Sequence, residues 1–213
     1  SKTVILIPSR LSAKRLPGKP LLKINGISII SHVVKKAKEA NIGDVYVATE
    51  DKEIVADVNL NGGNAILTSK KHKTGTDRIF ECFEKLNLKD IDYIINLQGD
   101  EPNIDIGDLK HLNKLLKINS PEVGTLASKI EDETKFTNEN VVKVVTETSI
   151  TSENFPAAIR FERKIEKINK NIFHHIGIYA YKPNILKRII KSQQTKNEIE
   201  KRLEQLRAIE NGI

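Results

Sequence analysis

The sequence predicts an α/β fold: a mainly parallel sheet flanked by helices, with a smaller β-containing lobe in the second half. Short, continuously apolar runs such as "TVILIP" suit strands buried on both faces. Amphipathic stretches of about 10–15 residues separate these runs, the spacing of right-handed βαβ crossovers. Past residue 120 the alternation breaks down, and strand-like runs follow one another with little helix between them.

"TVILIP" (3–8) is the first strand. "SIISHVVKKAKEA" (28–40) puts Ile29, Ile30, Val33, Val34 and Ala37 along one helical face, with Lys35, Lys36, Lys38 and Glu39 largely outside. "DVYVATE" (44–50) is the second strand. "DKEIVADVNLNGG" (51–63) is a helix opened by Asp51 and stopped by Gly62-Gly63. The third strand "NAILTS" (64–69), the helix "TDRIFECFEKLN" (76–87) and "DYIINLQGDEP" (92–102), a fourth strand running out into an acidic turn, complete the regular half.

In the second half "DLKHLNKLLKI" (108–118) reads as helix, and "VGTLASKI" (123–130) and "NVVKVVTE" (140–147) as strands. "FHHIGIYAYK" (173–182) is a strand with Ile176, Ile178 and Ala180 on one face and His175, Gly177, Tyr179 and Tyr181 on the other. One helix, "NEIEKRLEQLRAIENG" (197–212), closes the chain. The expectation is a single domain: a nucleotide-binding half over 1–119, a β-containing lobe over 120–182 and a helical closing segment over 183–213.

A hydrophobic fraction of 38% and a charged fraction of 30% are ordinary for a globular protein of 213 residues. No apolar run approaches the ~20 residues of a membrane span. The chain runs from "SK" directly into a strand, and its single cysteine, Cys82, excludes an internal disulfide framework. These features lead to the expectation of a cytoplasmic protein. The net charge of +7 raises nucleic acid as a partner. Its lysines, however, are scattered and often sit beside acids, with no aromatic recognition signature or zinc-finger spacing, so no nucleic acid is expected.

Open α/β sheets bind ligands beyond the carboxyl ends of their strands. The segments expected there are "PSRLSAKRLPGK", "ATED", "TSKKHKTGTDR" and "QGDEP". Cations and turn N–H groups beside carboxylates suit a nucleoside triphosphate with a divalent metal. The first loop is neither GxxxxGK[ST] nor GxGxxG, which disfavours a Walker or dinucleotide site.

The ordered set "RLPGKPL", "TGTDR", "QGDEP", "NVVKVV", "HHIGIYAY" and "EQLRAIENG" resembles the sugar nucleotidyltransferases across nearly the whole chain. More narrowly it resembles the 3-deoxy-manno-octulosonate (Kdo) cytidylyltransferases. Each motif is weak alone; the set is specific. The resemblance implies a sheet of Rossmann-like type, transfer of CMP from CTP to the anomeric hydroxyl of Kdo for lipopolysaccharide synthesis, Mg²⁺ as cofactor and a homodimer formed through the lobe.

Carried over residue by residue, the resemblance assigns Arg10, Arg15 and Lys19 to the triphosphate. Arg78 is assigned to phosphate or base, Gln98 to the cytosine and Asp100 to Mg²⁺, with Glu101 as the other acid in that turn. Lys19, Arg10 and Asp100 are the catalytic expectation. Arg163, His175, Tyr179, Glu204 and Gln205 are assigned to the sugar acid, Arg163 to its carboxylate. The family's second metal aspartate belongs to a motif beyond "ENG" that this sequence does not include. Cys82 reads as core, and no side chain reads as an activated nucleophile. The alternatives are transfer to a related sugar such as amino-Kdo, or a basic nucleic-acid-binding protein.

Overall fold

Strand β1 (Thr3–Ser9) is the middle of the parallel region, and almost all of it is buried. The computed structural model describes residues 2–12, 16–100 and 102–213, so Arg15 and Glu101 lie outside the described residues. After β1, a 3₁₀ turn at Lys19–Leu21 and a small hairpin, β2 (Lys23–Ile24) with β3 (Ile27–Ser28), lead into helix α1 (Ile29–Glu39). Ser28 caps α1 by accepting from the Ser31 N–H.

Then come β4 (Gly43–Thr49), α2 (Lys52–Leu60), β5 (Ala65–Leu67), α3 (Gly75–Leu86) and β6 (Tyr93–Asn96). Helix α4 (Ile106–Asn119) joins this half to β7 (Val123–Ser128), β8 (Lys143–Thr146), β9 (Ala158–Glu162) and β10 (Ile172–Tyr181). Helices α5 (Pro183–Lys191), α6 (Lys196–Lys201) and α7 (Gln205–Glu210) follow.

The eight-stranded sheet runs β5-β4-β1-β6-β10-β8-β9, with β7 paired to β10. Strands β5, β4, β1 and β6 are parallel, as their apolar runs predict. The chain builds outward from β1 through β4 and β5, then returns to place β6 on the other side. The direction of winding therefore reverses between β1 and β6, which opens a crevice at their carboxyl ends.

Side-chain alternation sorts the helices between the two faces. Ile5, Ile7, Val45, Val47, Ile95 and Leu97 pack under α1, α2 and α4. Val4, Leu6, Ala48, Ile94 and Tyr181 pack under α3 and α5. Cys82 is wholly buried there, and burial pushes its thiol up to about 12, so it is inert core as expected.

The lobe is continuous with the main sheet through β10. Residues Tyr179–Tyr181 pair with β6, and Ile172–His174 pair with β8, while β7 runs along the strand with a register shift between Ile176 and Tyr179. One strand thus belongs to both halves. Strand β9, which the sequence reading leaves unassigned, is the outer neighbour of β8; Ala158, Ile159 and Arg160 are exposed, so it carries no clean alternation.

The expected closing helix over 197–212 is two short helices meeting at a turn. Arg202 adopts a left-handed conformation (φ 54°) and ends α6, and α7 starts at Gln205. The break turns Leu203 and Leu206 into a cluster with Val144, Phe161 and Phe173 of the lobe. A buried bidentate ion pair, Glu198 with Arg207 (2.7 Å), holds the two helices together across it. Among the described residues no helix is long and apolar enough to cross a membrane.

Candidate active site

The crevice between β1 and β6 carries opposite charges on its two rims. Lys19 follows β1, and its ammonium lies 3.8 Å from the Asp100 carboxylate that follows β6. Both are solvent-accessible, at 35% and 59% of their side chains. Gly18, in a left-handed conformation (φ 77°), donates its N–H to Leu11 O and turns Lys19 back over the strand ends. On the other rim a Cβ at Gly99 would stand 2.8 Å from Pro8 O, so glycine is what lets "QGD" pass this close to the end of β1.

Asp51 stands at the N-cap position of α2, as expected, but its side chain is used elsewhere. It makes no side-chain cap bond, and its Oδ2 accepts the Leu11 N–H at 2.8 Å. Ser12 donates to Glu50 in the same region. The basic loop is therefore tethered to the end of β4 through main-chain and hydroxyl groups, which leaves Arg10 exposed.

Arg78 is placed differently from the expectation. It is 3% exposed, and it donates to Thr68 Oγ1 (2.7 Å) and Ser69 O (3.0 Å) while lying 3.8 Å from Glu50. Burial lowers its pKa, and nearby Arg10 adds to this against the pull of Glu50. Its bonds fix the end of β5 and the approach to the crevice. Asp77 accepts from the Thr74 hydroxyl at the start of α3, an orienting role.

Gln98 sits at the seam of the two halves. Its amide donates to Gly177 O at 3.4 Å, where β10 passes from β6 to β8. Beyond that point a row of aromatic rings lines one face of β10. His175 and Tyr179 lie 5.2 Å apart between centroids, and Tyr179 and Tyr181 lie 5.9 Å apart. His175 is almost closed off from solvent and its Nε2 bonds the Thr125 hydroxyl at 3.0 Å. Burial, with His174 adding, holds its pKa down at about 4, so the ring is neutral at pH 7.

Among the described residues, three polar atoms here are buried without a hydrogen-bond partner: Asn96 Oδ1, Tyr179 OH and Glu204 Oε1. Asn96 and Tyr179 are cross-strand neighbours, and the Glu204 charge acts on both Tyr179 and Tyr181. Burial raises the Glu204 pKa, and Thr76 and Arg207 pull it back in part. Native proteins rarely leave such groups unpaired, and a polyhydroxylated ligand would satisfy them. Asn96 is absent from the residues singled out by sequence; inside "INLQ" it reads as a strand position, and only its missing partner draws attention to it.

Glu204 is the residue before α7 and Gln205 its first residue; both are partly buried rather than on a solvated helix surface. Arg163, expected at a sugar carboxylate, instead gives each of its three nitrogens to a main-chain carbonyl: Nε to Lys201 O (2.7 Å), Nη1 to Glu139 O (3.0 Å) and Nη2 to Arg202 O (2.9 Å). The local sequence "FERK" shows nothing of this, because the acceptors lie some 24 to 39 residues away.

For a metal, Asp100 is an accessible carboxylate at the crevice, and among the described residues no three His, Cys, Asp or Glu side chains gather into a metal-binding group. A carboxylate oxygen facing an open crevice fits Mg²⁺, which keeps several waters and completes its shell from phosphate oxygens.

The cytidylyltransferase family profile matches residues 4–213. The chain is 41% identical over 215 residues to the 3-deoxy-manno-octulosonate cytidylyltransferase of Nitrobacter winogradskyi, covering 100% of this chain and 84% of that protein. It is 43% identical over 222 residues to that of Thermodesulfovibrio yellowstonii, covering 99% and 87%. A solved CMP:2-keto-3-deoxy-manno-octonic acid synthetase complexed with CTP superposes with a TM-score of 0.89 at 36% identity, over 100% of this chain and 87% of that one. A 4-diphosphocytidyl-2C-methyl-D-erythritol synthase, 14% identical with a TM-score of 0.64, shares the fold. The chain belongs to the cytidylyltransferase family, among the 3-deoxy-manno-octulosonate cytidylyltransferases.

Proposed function

We propose that the protein transfers CMP from CTP to the anomeric hydroxyl of Kdo, releasing pyrophosphate and forming CMP-Kdo. The anomeric oxygen attacks the α-phosphorus, the bond from that phosphorus to the β-phosphate oxygen breaks, and the hydroxyl proton leaves to solvent. The observation that carries this reading is the 3.8 Å approach of Lys19 to Asp100 across the crevice, which puts a phosphate cation and a metal carboxylate within reach of one triphosphate.

In this reading Lys19 and Arg10 offset the triphosphate charge, and Arg15 of the same loop assists. Arg78 holds the β5 end from inside, and Gln98, whose amide both donates and accepts, serves the cytosine. Asp100 would hold Mg²⁺, which when bound neutralises phosphate charge and lowers the pKa of a bound hydroxyl. Tyr179, Glu204 and Gln205 take the sugar hydroxyls, as the unpaired buried atoms of the first two invite. His175, bonded to Thr125, sets the wall of the sugar pocket. Catalysis is then positioning and charge neutralisation, with no covalent enzyme intermediate.

A cytoplasmic homodimer associating through the lobe, acting in lipopolysaccharide synthesis without nucleic acid, is the setting this reading implies. The test is pyrophosphate release with CTP, Mg²⁺ and a panel of sugar acids. Turnover is expected with Kdo. Turnover with amino-Kdo and none with Kdo would move the assignment to the amino sugar, and none with any sugar would overturn it.

A further inference from the structure

Lys143 takes no part in the reaction described above, yet it is wholly buried. It lies on β8, and its ammonium donates to three main-chain carbonyls, those of Asn138 (2.9 Å), Val141 (2.6 Å) and Arg163. An ammonium is costly to remove from water, and an apolar side chain of the same length would fill the space without that cost. The charge does something a methionine cannot: it draws the loop before β8 and the residue after β9 onto one point.

The partner after β9 is Arg163, whose guanidinium grips the end of α6 through Lys201 O and Arg202 O. Those carbonyls have no intrahelical donor, and Arg202 holds a left-handed backbone that a side chain ordinarily avoids. The Glu198–Arg207 pair spans the turn from within, and Arg163 is what ties its backbone to the end of β9. The other tie between β9 and α6, Lys201 to Glu162, is solvent-accessible and weak. Two residues past Arg202 stands Glu204, and next to it Gln205.

We infer that Lys143 is a positioning residue for the sugar side of the site: it anchors Arg163, which fixes the Arg202 turn, which presents Glu204 and Gln205. The inference rests on the reading of those two residues as sugar ligands. Nothing in the linkage touches the crevice of Lys19 and Asp100, so disrupting it separates the two substrates.

The experiment compares wild type with Lys143→Met in the full chain, using pyrophosphate release and amide hydrogen exchange without substrate. The expected result is a rise of about tenfold in KM for Kdo, the factor that corresponds to one lost charge-assisted hydrogen bond. KM for CTP stays at the wild-type value, and amides of 203–207 lose protection while those of β1 and β4 keep theirs. An unchanged KM for Kdo with unchanged protection at 203–207 overturns the inference, and so does a parallel rise in both KM values with protection lost everywhere, the mark of a merely structural lysine. Should Lys143→Met not fold, Arg163→Lys, which keeps the charge and loses the fork, must give the same split. If wild type itself does not turn over Kdo, the proposed function fails, while exchange at 203–207 still decides the linkage.

Discussion

Lys19 and Asp100, 81 positions apart in the chain, meet at 3.8 Å over the point where the sheet reverses its winding. Two half-exposed side chains at that distance contribute at most about 1 kcal/mol to stability. The pair is better explained by what it attracts. Asp100→Ala is expected to abolish CMP-Kdo formation with little change in Tm. Lys19→Ala is expected to reduce kcat/KM for CTP by about 10²–10³, the loss typical of a removed charge-stabilising group. Wild-type turnover in Asp100→Ala, or superimposable CTP titrations for Lys19→Ala, would refute these roles.

Glu204 should trade stability for function. Its carboxyl is buried with one oxygen unpaired, and burial raises its pKa. A group raised in this way supports the fold at low pH, and that contribution is lost as pH rises through its folded value. Glu204→Gln removes the charge that is costly at neutral pH. The variant is expected to gain about 1 kcal/mol in denaturant melts at pH 7.5 and to lose Kdo turnover. A variant that is no more stable, or that keeps full activity, would count against this account.

His175 has the opposite acid dependence. Its folded pKa of about 4 lies below the 6.5 of a free imidazole. The unfolded chain binds the extra proton first, so stability falls as pH drops from 6.5 towards 4, by up to about 3 kcal/mol. His175→Gln keeps a polar partner for Thr125 and lacks the titration. Urea midpoints at pH 7 and pH 4.5 should therefore differ more for wild type than for the variant; equal differences would assign the acid sensitivity elsewhere.

Gly99→Ala tests how closely the two rims must approach. The added methyl would press on the Pro8 carbonyl, main chain that has no rotamer to change. A cost of about 1–3 kcal/mol is expected, together with a higher KM for CTP because Gln98 and Asp100 are displaced. Wild-type stability and KM would show that the loop after β6 has slack.

The parallel core was legible in the sequence because a strand buried on both faces is mostly apolar, as residues 4–7 of β1 and 93–95 of β6 are. Glycine and charge marked the loops at the strand ends for a similarly local reason: Gly18 needs its left-handed turn and Gly99 its close approach. Local pattern fails where distant partners decide. The segment 197–212 has good helical periodicity, but the Glu198–Arg207 pair, the clamp of Arg163 and the burial of Leu203 and Leu206 against the lobe favour a break at Arg202. The sequence by itself determined the alternation of main strands and helices from β1 to β7 and which residue types line the crevice, since both follow from side-chain chemistry and period. Only the tertiary structure decided that Lys19 and Asp100 face each other, that Arg163 holds a backbone turn, and that single polar atoms of Asn96, Tyr179 and Glu204 are buried without partners among the described residues. Those are contacts across tens of residues, set by how the lobe packs on the sheet, and no local window of sequence contains them.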